Sequence, residues 1–583
     1  MGLVEQYDWL LSKYPFLESY NANGIHRIVR DSLVQFISKC TNPAIWCYGK
    51  HTRMLMTDFM FEMKRVKFII DENYGNKEES GFHIINSHQI QDSAIDGIII
   101  SSYQYKDEIK DILKRDYPNI KYLDLYEELE NRGFVLDRSY YARSHPYDRY
   151  KKINQLKRKL DQGQDCENLY RNIISEYISI KDFQSAIDYT KKLSELNERP
   201  LYSELRNDLE KIYQLELSEI SNISQDNVIM LCIDGLRRQD VLGECMPNTK
   251  RYLMRNTRFY EKAYAVSTST FESLVPAYSE NSDLRTKYYE SNIIDAKSCR
   301  FFLEAVRQNR NIFFYTDSIQ YIDAEEIKLI CESQTATEKM WSFILDAEKE
   351  ENGLFYIHVL YESHYSYPNP DTEEELIADG SNIMFDYLER NGGKIRTDYG
   401  KQHTDALKYL DRVLYPFLEL IPCRLVLYAD HGNILIPPET LPYDVEAAKY
   451  SYHEDLIRIP LAIKSPETVT GISNNLMTLM SINEIVCSLL RKEAFTEPNN
   501  EFIKIQRSEI YNPDFRFIYG KAGKQQELKA FEAFVFRDGR KLIVYSDGVI
   551  RICDHNDKLI QDQSVKDELW GKIKSYVTVT DCI

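Results

Sequence analysis

The sequence predicts an α/β protein of several domains, and three observations carry that expectation. Short apolar runs that end in glycine or aspartate alternate with helix-like stretches in two separate blocks, the pattern of buried parallel strands joined by helices. The chain has 583 residues, too many for one hydrophobic core. Its composition, 43% apolar and 28% charged with 22 Gly and 18 Pro, excludes a disordered, collagenous or low-complexity chain.

Lys plus Arg number 73 against 91 Asp plus Glu, a net charge of -18. A nonspecific nucleic-acid binder needs a basic face to displace counterions, so nucleic acid is not an expected partner. The same excess repels anionic membranes, although a local pocket can still hold an anion. No run approaches the ~20 apolar residues that cross a bilayer. The start, MGLVEQYDWLLSKYPFLESY, lacks the basic-then-apolar order of a signal peptide. The expectation is a soluble cytoplasmic chain without a transmembrane anchor. Eleven cysteines with no CxxC pair read as reduced core thiols.

The first block, residues 1–149, contains AIWCYG (44–49), KFIID (67–71), FHIIN (82–86), GIIISS (97–102) and YLDL (122–125), with helices predicted through 50–63 and 105–115. Strand, glycine turn, helix and a strand ending in Asp71 resemble the small Rossmann-like domains that bind nucleotides or sugar nucleotides. GxGxxG is missing, leaving only Gly49 before Lys50, so ligand binding and partner docking both stay open. Residues 150–222 place apolar residues at three- and four-residue spacing and break near Asn197–Pro200. They read as a helical hairpin linker reminiscent of one tetratricopeptide-like unit.

The second block, residues 223–500, has strands NVIMLCID (227–234), NIFFYTD (311–317), LFYIHVL (354–360), RLVLYAD (424–430) and PLAIKS (460–465), with helices at 337–349 and 404–420. The tail, 501–583, puts Asp538-Gly539 and Asp547-Gly548 between alternating runs, a hairpin signal, and closes on an amphipathic helix near 564–576. It is expected to complete or cover the preceding sheet.

Chemistry concentrates in the second block. Of eleven histidines, five (His358, His364, His403, His431, His453) fall there, and none lies between His145 and His358. Asp234 ends an apolar strand, where it either caps the next helix or offers a carboxylate at the ligand-binding edge of a parallel sheet. Asp430-His431-Gly432 ends another such strand. The pair can give one hard oxygen and one imidazole nitrogen to a divalent cation while the glycine turns the backbone. The hydroxyl-rich run YAVSTSTFESLVPAYS (264–279) precedes a helix, so its Ser and Thr are caps, or one of them is a nucleophile held against a metal.

Taken together, NVIMLCIDGLR, MPNTKRYLMRNTRFYEKAYAVSTST, FYIHVLYESHYSYPNP and LVLYADHGN resemble the sulfatase-like hydrolase/transferase branch of the alkaline phosphatase superfamily over roughly 225–470. LVLYADHGN is also similar to cofactor-independent phosphoglycerate mutases. The resemblance implies an alkaline-phosphatase-like, mixed or parallel sheet flanked by helices. It implies that Asp234, Asp430 and His431 bind a divalent ion that Thr270 touches as nucleophile, with Thr268 the alternative. It places His453 on a metal, with one ion or two open, and gives His364 the role of a substrate contact. His358 reads as structural and His403 as undecided.

The pattern also departs from that branch. Sulfatases need C/S-x-P-x-R for formylglycine, and here the window is Thr270-Phe271-Glu272-Ser273. Glu362 and His364 are too close together for the D-x-x-x-H of a complete second metal site. The expectation is therefore a metal-dependent phosphoesterase or phosphotransferase, with Zn or Mn suiting mixed carboxylate and imidazole ligands. It resembles phosphoethanolamine and phosphoglycerol transferases and takes a phosphorylated small molecule, glycan or lipid headgroup as substrate. A homo-oligomer is compatible with it. The alternatives are a catalytically inactive scaffold and a sulfate-ester hydrolase, and a further idea makes residues 40–130 a nucleotide-sugar pocket.

Overall fold

The computed structural model describes the chain except residues 1, 15, 18–21, 50, 53–54, 57–58, 73–76, 80–81, 133–145, 164–165, 281–292, 295, 317–320, 323–326, 332–333, 365–366, 373–398, 434–451, 512–515, 517–518, 521–522 and 580–583. It forms two compact units: Pro15–His145 with Cys331–Ser333, and a larger one from Met1–Tyr14, Pro146–Ile330 and Gln334–Ile583.

The smaller unit is built on six strands: β1 (Pro43–Trp46), β2 (Phe68–Ile70), β3 (Lys77–Glu79), β4 (Phe82–Ile85), β5 (Gly97–Ile100) and β6 (Lys121–Asp124). Their order is β3-β4-β2-β1-β5-β6, and all pairs are parallel except β3 with β4. Alternate residues feed two cores. Ile45, Ile69 and Ile99 pack with Val29 and Leu33 of helix Ala22–Ile37 and with Leu125 and Leu129 of helix Leu125–Glu130. Ala44, Trp46, Ile70, Ile98 and Ile100 pack with Ile109 and Leu113 of helix Lys106–Asp116. This is the doubly wound arrangement the apolar runs predict, with both sheet faces covered. The helix expected over 50–63 lies partly outside the described residues.

In the larger unit, residues 146–222 form four helices, Pro146–Asp161, Cys166–Ser179, Phe183–Leu196 and Pro200–Asn222, where the sequence predicts one hairpin. Between the second and third, Lys181 takes φ +64° and the Asp182 side chain accepts the Ser185 amide, capping the third helix. The first helix of the chain, Leu3–Lys13, belongs here and not with the smaller unit. Tyr7 packs on Phe183 and Trp341, and Lys13 and Tyr14 donate to Asp208 at 2.6 and 2.9 Å. The domain boundary thus falls at His145–Pro146, and helical segment, core and tail form one unit.

The core sheet follows from β7 (Val228–Ile233), β8 (Arg258–Tyr264), the two-residue pair β9 (Ile293–Ile294) and β11 (Tyr321–Ile322), β10 (Ile312–Thr316), β12 (Ile327–Cys331), β13 (Leu354–Val359), β14 (Arg424–Tyr428), β15 (Leu461–Lys464) and β16 (Gly471–Thr478). The eight-stranded order is β12-β10-β13-β7-β14-β15-β8-β16. Its centre, β10-β13-β7-β14, is parallel, and β15 runs antiparallel to both neighbours. Every residue of β7, β13 and β14 is buried. Each buried Leu, Ile or Val there contributes about 1.5–3 kcal/mol relative to exposure.

The tail makes a separate antiparallel sheet of β17 (Phe502–Arg507), β18 (Phe531–Phe536), β19 (Lys541–Tyr545) and β20 (Ile550–Cys553). Phe531, Ala533 and Val535 pack toward Tyr264 and Leu456 of the core, while Phe534 and Phe536 pack under Leu569 and Ile573 of the last helix. Gly539 and Gly548, at φ +88° and +83°, make the two predicted hairpin turns. No described helix is long and apolar enough to cross a membrane.

Asp208 is 3% exposed and also accepts from Lys211 at 2.9 Å. Burial works to raise its carboxyl, but hydrogen bonds from Lys13, Lys211 and Tyr14 hold it below the usual range. Asp208→Asn is expected to lower unfolding free energy in urea by about 1–3 kcal/mol at neutral pH. A depressed folded value gives stability that is present above the unfolded value, about 3.9, and lost as pH falls through the folded one. The gap between wild type and variant should therefore close below about pH 4, and a gap that does not close refutes the assignment.

Candidate metal centre

Strand register brings the predicted residues together. β14 pairs with β7 so that Tyr428 faces Cys232. Two residues on, Asp430 comes level with Asp234 at the carboxyl edge. Asp234 is fixed by its amide donating to Val359 O at 2.9 Å. Thr270 arrives from β8 as the first residue of helix Thr270–Ser279, with Ser269 extended at the N-cap. Ser273, one turn into that helix, donates to Asp430 O at 2.6 Å and accepts from Val266 N at 3.3 Å, locking the hydroxyl loop to the strand end.

The Thr270 hydroxyl lies 3.2 Å from Asp234 Oδ2 and 3.3 Å from His431 Nε2. Asp234, Asp430 and His431 offer one ligand atom each within 4.8 Å of one another, and all three are buried. Asp430 Oδ1 accepts the Gly235 and His431 amides at 3.0 and 2.9 Å. The ring of His431 is set by Nδ1 against Gly432 O at 2.7 Å. That contact requires a proton on Nδ1 and turns Nε2 toward Thr270 and Asp430. Asp234 Oδ1 and Asp430 Oδ2 are buried without a hydrogen-bond partner. Two such oxygens, one imidazole nitrogen and one hydroxyl make a donor set that fits a divalent cation, with borderline ions such as Zn or Mn suiting its mixed oxygen and nitrogen atoms.

Electrostatics agree with this fit. Burial disfavours charge on both carboxylates. Against that, the imidazoles of His364, His358 and His431 hold Asp234 well below the usual carboxylate range. Asp430 is pushed up, by burial and by Asp234 beside it. A cation between them would relieve both costs.

His358, which the sequence reads as structural, stands beside the cluster. It is fully buried, with Nε2 3.3 Å from Asp234 Oδ2. The register signals it: His358 lies opposite Cys232, so it shares a sheet face with Cys232 and Asp234. Thr268 is fully buried and its hydroxyl has no partner; it makes no hydrogen bond to the cluster. His364, half-buried in the turn after β13, faces Asp234 electrostatically.

His453 does not join the cluster. Its Nδ1 caps the short helix Glu454–Ile457 by accepting the Asp455 amide at 3.3 Å, and its Nε2 faces Asp557 at 3.4 Å. His403 is buried against the Tyr367 ring, 3.7 Å from Asp240, and burial pushes it down to about 4. Glu362 is taken up by Tyr150 OH and the Ala336 amide at 2.5 and 2.8 Å. The described residues therefore supply one cation position of three or more such ligands.

No family model matches the chain, and no curated protein matches it. Among solved structures it is similar to the phosphonate monoester hydrolase of Silicibacter pomeroyi, at 10% identity and TM-score 0.43 over 60% of this chain and 95% of that one. It is similar to BT1596, a 2-O GAG sulfatase, at 10% identity and TM-score 0.41 over 60% and 91%. The C-terminal periplasmic domain of EcEptC from Escherichia coli gives 13% identity and TM-score 0.36 over 50% and 92%.

Gly432 tests how tightly this edge is built. A Cβ there would lie 2.1 Å from Asp455 O, so the backbone beside His431 would have to move. Gly432→Ala is expected to weaken Mn²⁺ or Zn²⁺ binding in calorimetry by about tenfold or more. Asp430→Asn should weaken it by about 100-fold. Unchanged affinity in both would dismiss the cluster as a cation site.

Proposed function

We propose that the chain is a metal-dependent phosphoesterase or phosphotransferase with Thr270 as nucleophile, on an alkaline-phosphatase-like core. The observation that carries this reading is the Thr270 hydroxyl within 3.3 Å of both Asp234 and His431, beside two unpartnered carboxylate oxygens. Asp234, Asp430 and His431 would hold the cation, which when bound supplies positive charge that favours an ionised hydroxyl and screens an anionic ester.

The chain's own residues do the rest. Asp234 Oδ2 and His431 Nε2 orient the Thr270 oxygen, and Asp234 Oδ2, which accepts its hydrogen bond, takes the proton while Oδ1 faces the cation. The Thr270 oxygen forms a bond to phosphorus as the bond to the leaving oxygen breaks, giving phosphothreonine, and the departing oxygen takes a proton from solvent to leave as an alcohol. The helix that begins at Thr270 sets its positive dipole end beside the hydroxyl, where anionic oxygens of an ester would be favoured. Water or an acceptor hydroxyl then takes the phosphoryl group and frees Thr270, with His364 in the role of a substrate contact. The substrate class is a phosphate ester or diester of a small molecule, glycan or lipid headgroup. Sulfate-ester hydrolysis through formylglycine is disfavoured because Thr270 stands where that route needs Cys or Ser.

Assays with p-nitrophenyl phosphate and bis-p-nitrophenyl phosphate, with Zn²⁺ or Mn²⁺ supplied, test the reading. Thr270→Ala should lower turnover about 10³-fold or more while circular dichroism stays unchanged, and Thr270→Ser should retain part of it. Activity surviving in Thr270→Ala, or none in the metal-loaded wild type on a wider ester panel, would overturn it.

A further inference from the structure

A cavity of about 510 Å³ is lined wholly by residues of the smaller unit. It opens at the carboxyl ends of β1 and β5. There β1 has β2 on one side and β5 on the other, so the chain's progress across the sheet reverses. Such a reversal leaves a crevice outside the strand ends, and the volume is that of a small-molecule site.

The described lining is acidic. Among the described residues no lysine or arginine contributes to it, whereas Asp71, Glu72 and Glu108 do. The amide after β1 that could receive an anion, Tyr48 N–H, donates to Asp71 at 2.8 Å. The anion position is thus filled by the chain's own carboxylate, and a phosphate beside it would be repelled. What the walls offer instead is aromatic surface from Trp46, Tyr48, Tyr105 and Tyr126, with carboxylates that accept from hydroxyl or amino groups.

Two further features point to a built site. Tyr126 OH and Ser101 Oγ lie 2.5 and 3.1 Å from His51 Nδ1, and Thr52 donates to Ser101 at 2.8 Å, a buried network that fixes one wall. Burial pushes His51 down to about 3, so the wall is neutral. Cys47 adopts φ +85°, a strained conformation outside glycine, where the chain turns from β1 toward Tyr48 and Gly49. Gly49 itself has no left-handed φ, and a Cβ built on it meets nothing within 4 Å. Neither backbone nor packing demands glycine there; the space it leaves belongs to the cavity.

We propose that this cavity binds an unphosphorylated nucleoside, its base against the aromatic walls and its ribose hydroxyls donating to Asp71 or Glu72. The site is independent of the cation cluster and of the phosphoesterase reading. Titration calorimetry of the full chain with adenosine, guanosine, cytidine and uridine, and with each 5′-monophosphate, tests it. One nucleoside should bind at 1:1 stoichiometry, with its monophosphate about tenfold weaker or more. Gly49→Leu should abolish binding by filling the cavity, with the circular dichroism spectrum unchanged. Tyr105, half exposed, gives a second variant tolerant of change: Tyr105→Ala should weaken binding about tenfold. Thr270→Ala should bind as wild type does. Absence of heat with all four nucleosides overturns the proposal. So does a monophosphate that binds as well as its nucleoside, or wild-type affinity in both Gly49→Leu and Tyr105→Ala.

Discussion

Two carboxylates buried side by side, Asp234 and Asp430, set the terms for the larger unit. Neither is exposed, and each has an oxygen that no donor reaches. Such a pair is costly unless positive charge stands between or around it. Around the pair, His358 and His431 converge, two backbone amides fix Asp430, and the Thr270 hydroxyl donates to Asp234. Parallel strands make this possible. Adjacent β7 and β14 end at the same edge, so two chain segments nearly 200 residues apart deliver their carboxylates to one place.

Support for that edge comes from outside the sheet. Asn433 donates to Gly235 O at 2.7 Å, tying the turn after β14 to the turn after β7. Gly235 has φ +63°, and a Cβ on it would press on that Asn433 amide at 2.4 Å, so close approach and a left-handed turn both require glycine. Arg237 donates to Asp240 through Nε at 2.8 Å and holds the following short helix in place.

Legibility in the sequence followed the range of the interactions involved. Asp234 and Asp430-His431 were readable because each ends an uninterrupted apolar strand, and a buried parallel strand carries polar groups only where it reaches the ligand edge. Asp538-Gly539 and Asp547-Gly548 were readable because hairpin turns are local. The closeness of His358 to Asp234 was not, since it depends on the pairing of β13 with β7, which periodicity within either strand does not encode. Thr268 and Thr270 are two residues apart in a run of hydroxyls, and only the start of the helix separates their environments. His453 lies outside the cluster, and distance from His431 along the chain says nothing of its local task, capping a four-residue helix. Strands β8 and β16 escaped notice because RFYEKAY and GISNNLMT carry polar residues on their partly exposed positions. The four-helix segment was under-read because the break at Lys181-Asp182 holds no glycine or proline.

The loop that carries Thr270 is fastened from the far end of the chain. The Gln506 backbone N–H donates to Val266 O at 2.9 Å, and Ser267 and Ser508 both hydrogen-bond Glu272 on the helix that begins at Thr270. Ser508 follows β17, which is held in turn by β18 and β19. During synthesis the carboxylates and the hydroxyl run leave the ribosome long before this clasp exists. The hydroxyl loop is therefore clasped by a contact that spans 236 residues, a non-local closure that costs more chain entropy than any hairpin in the molecule.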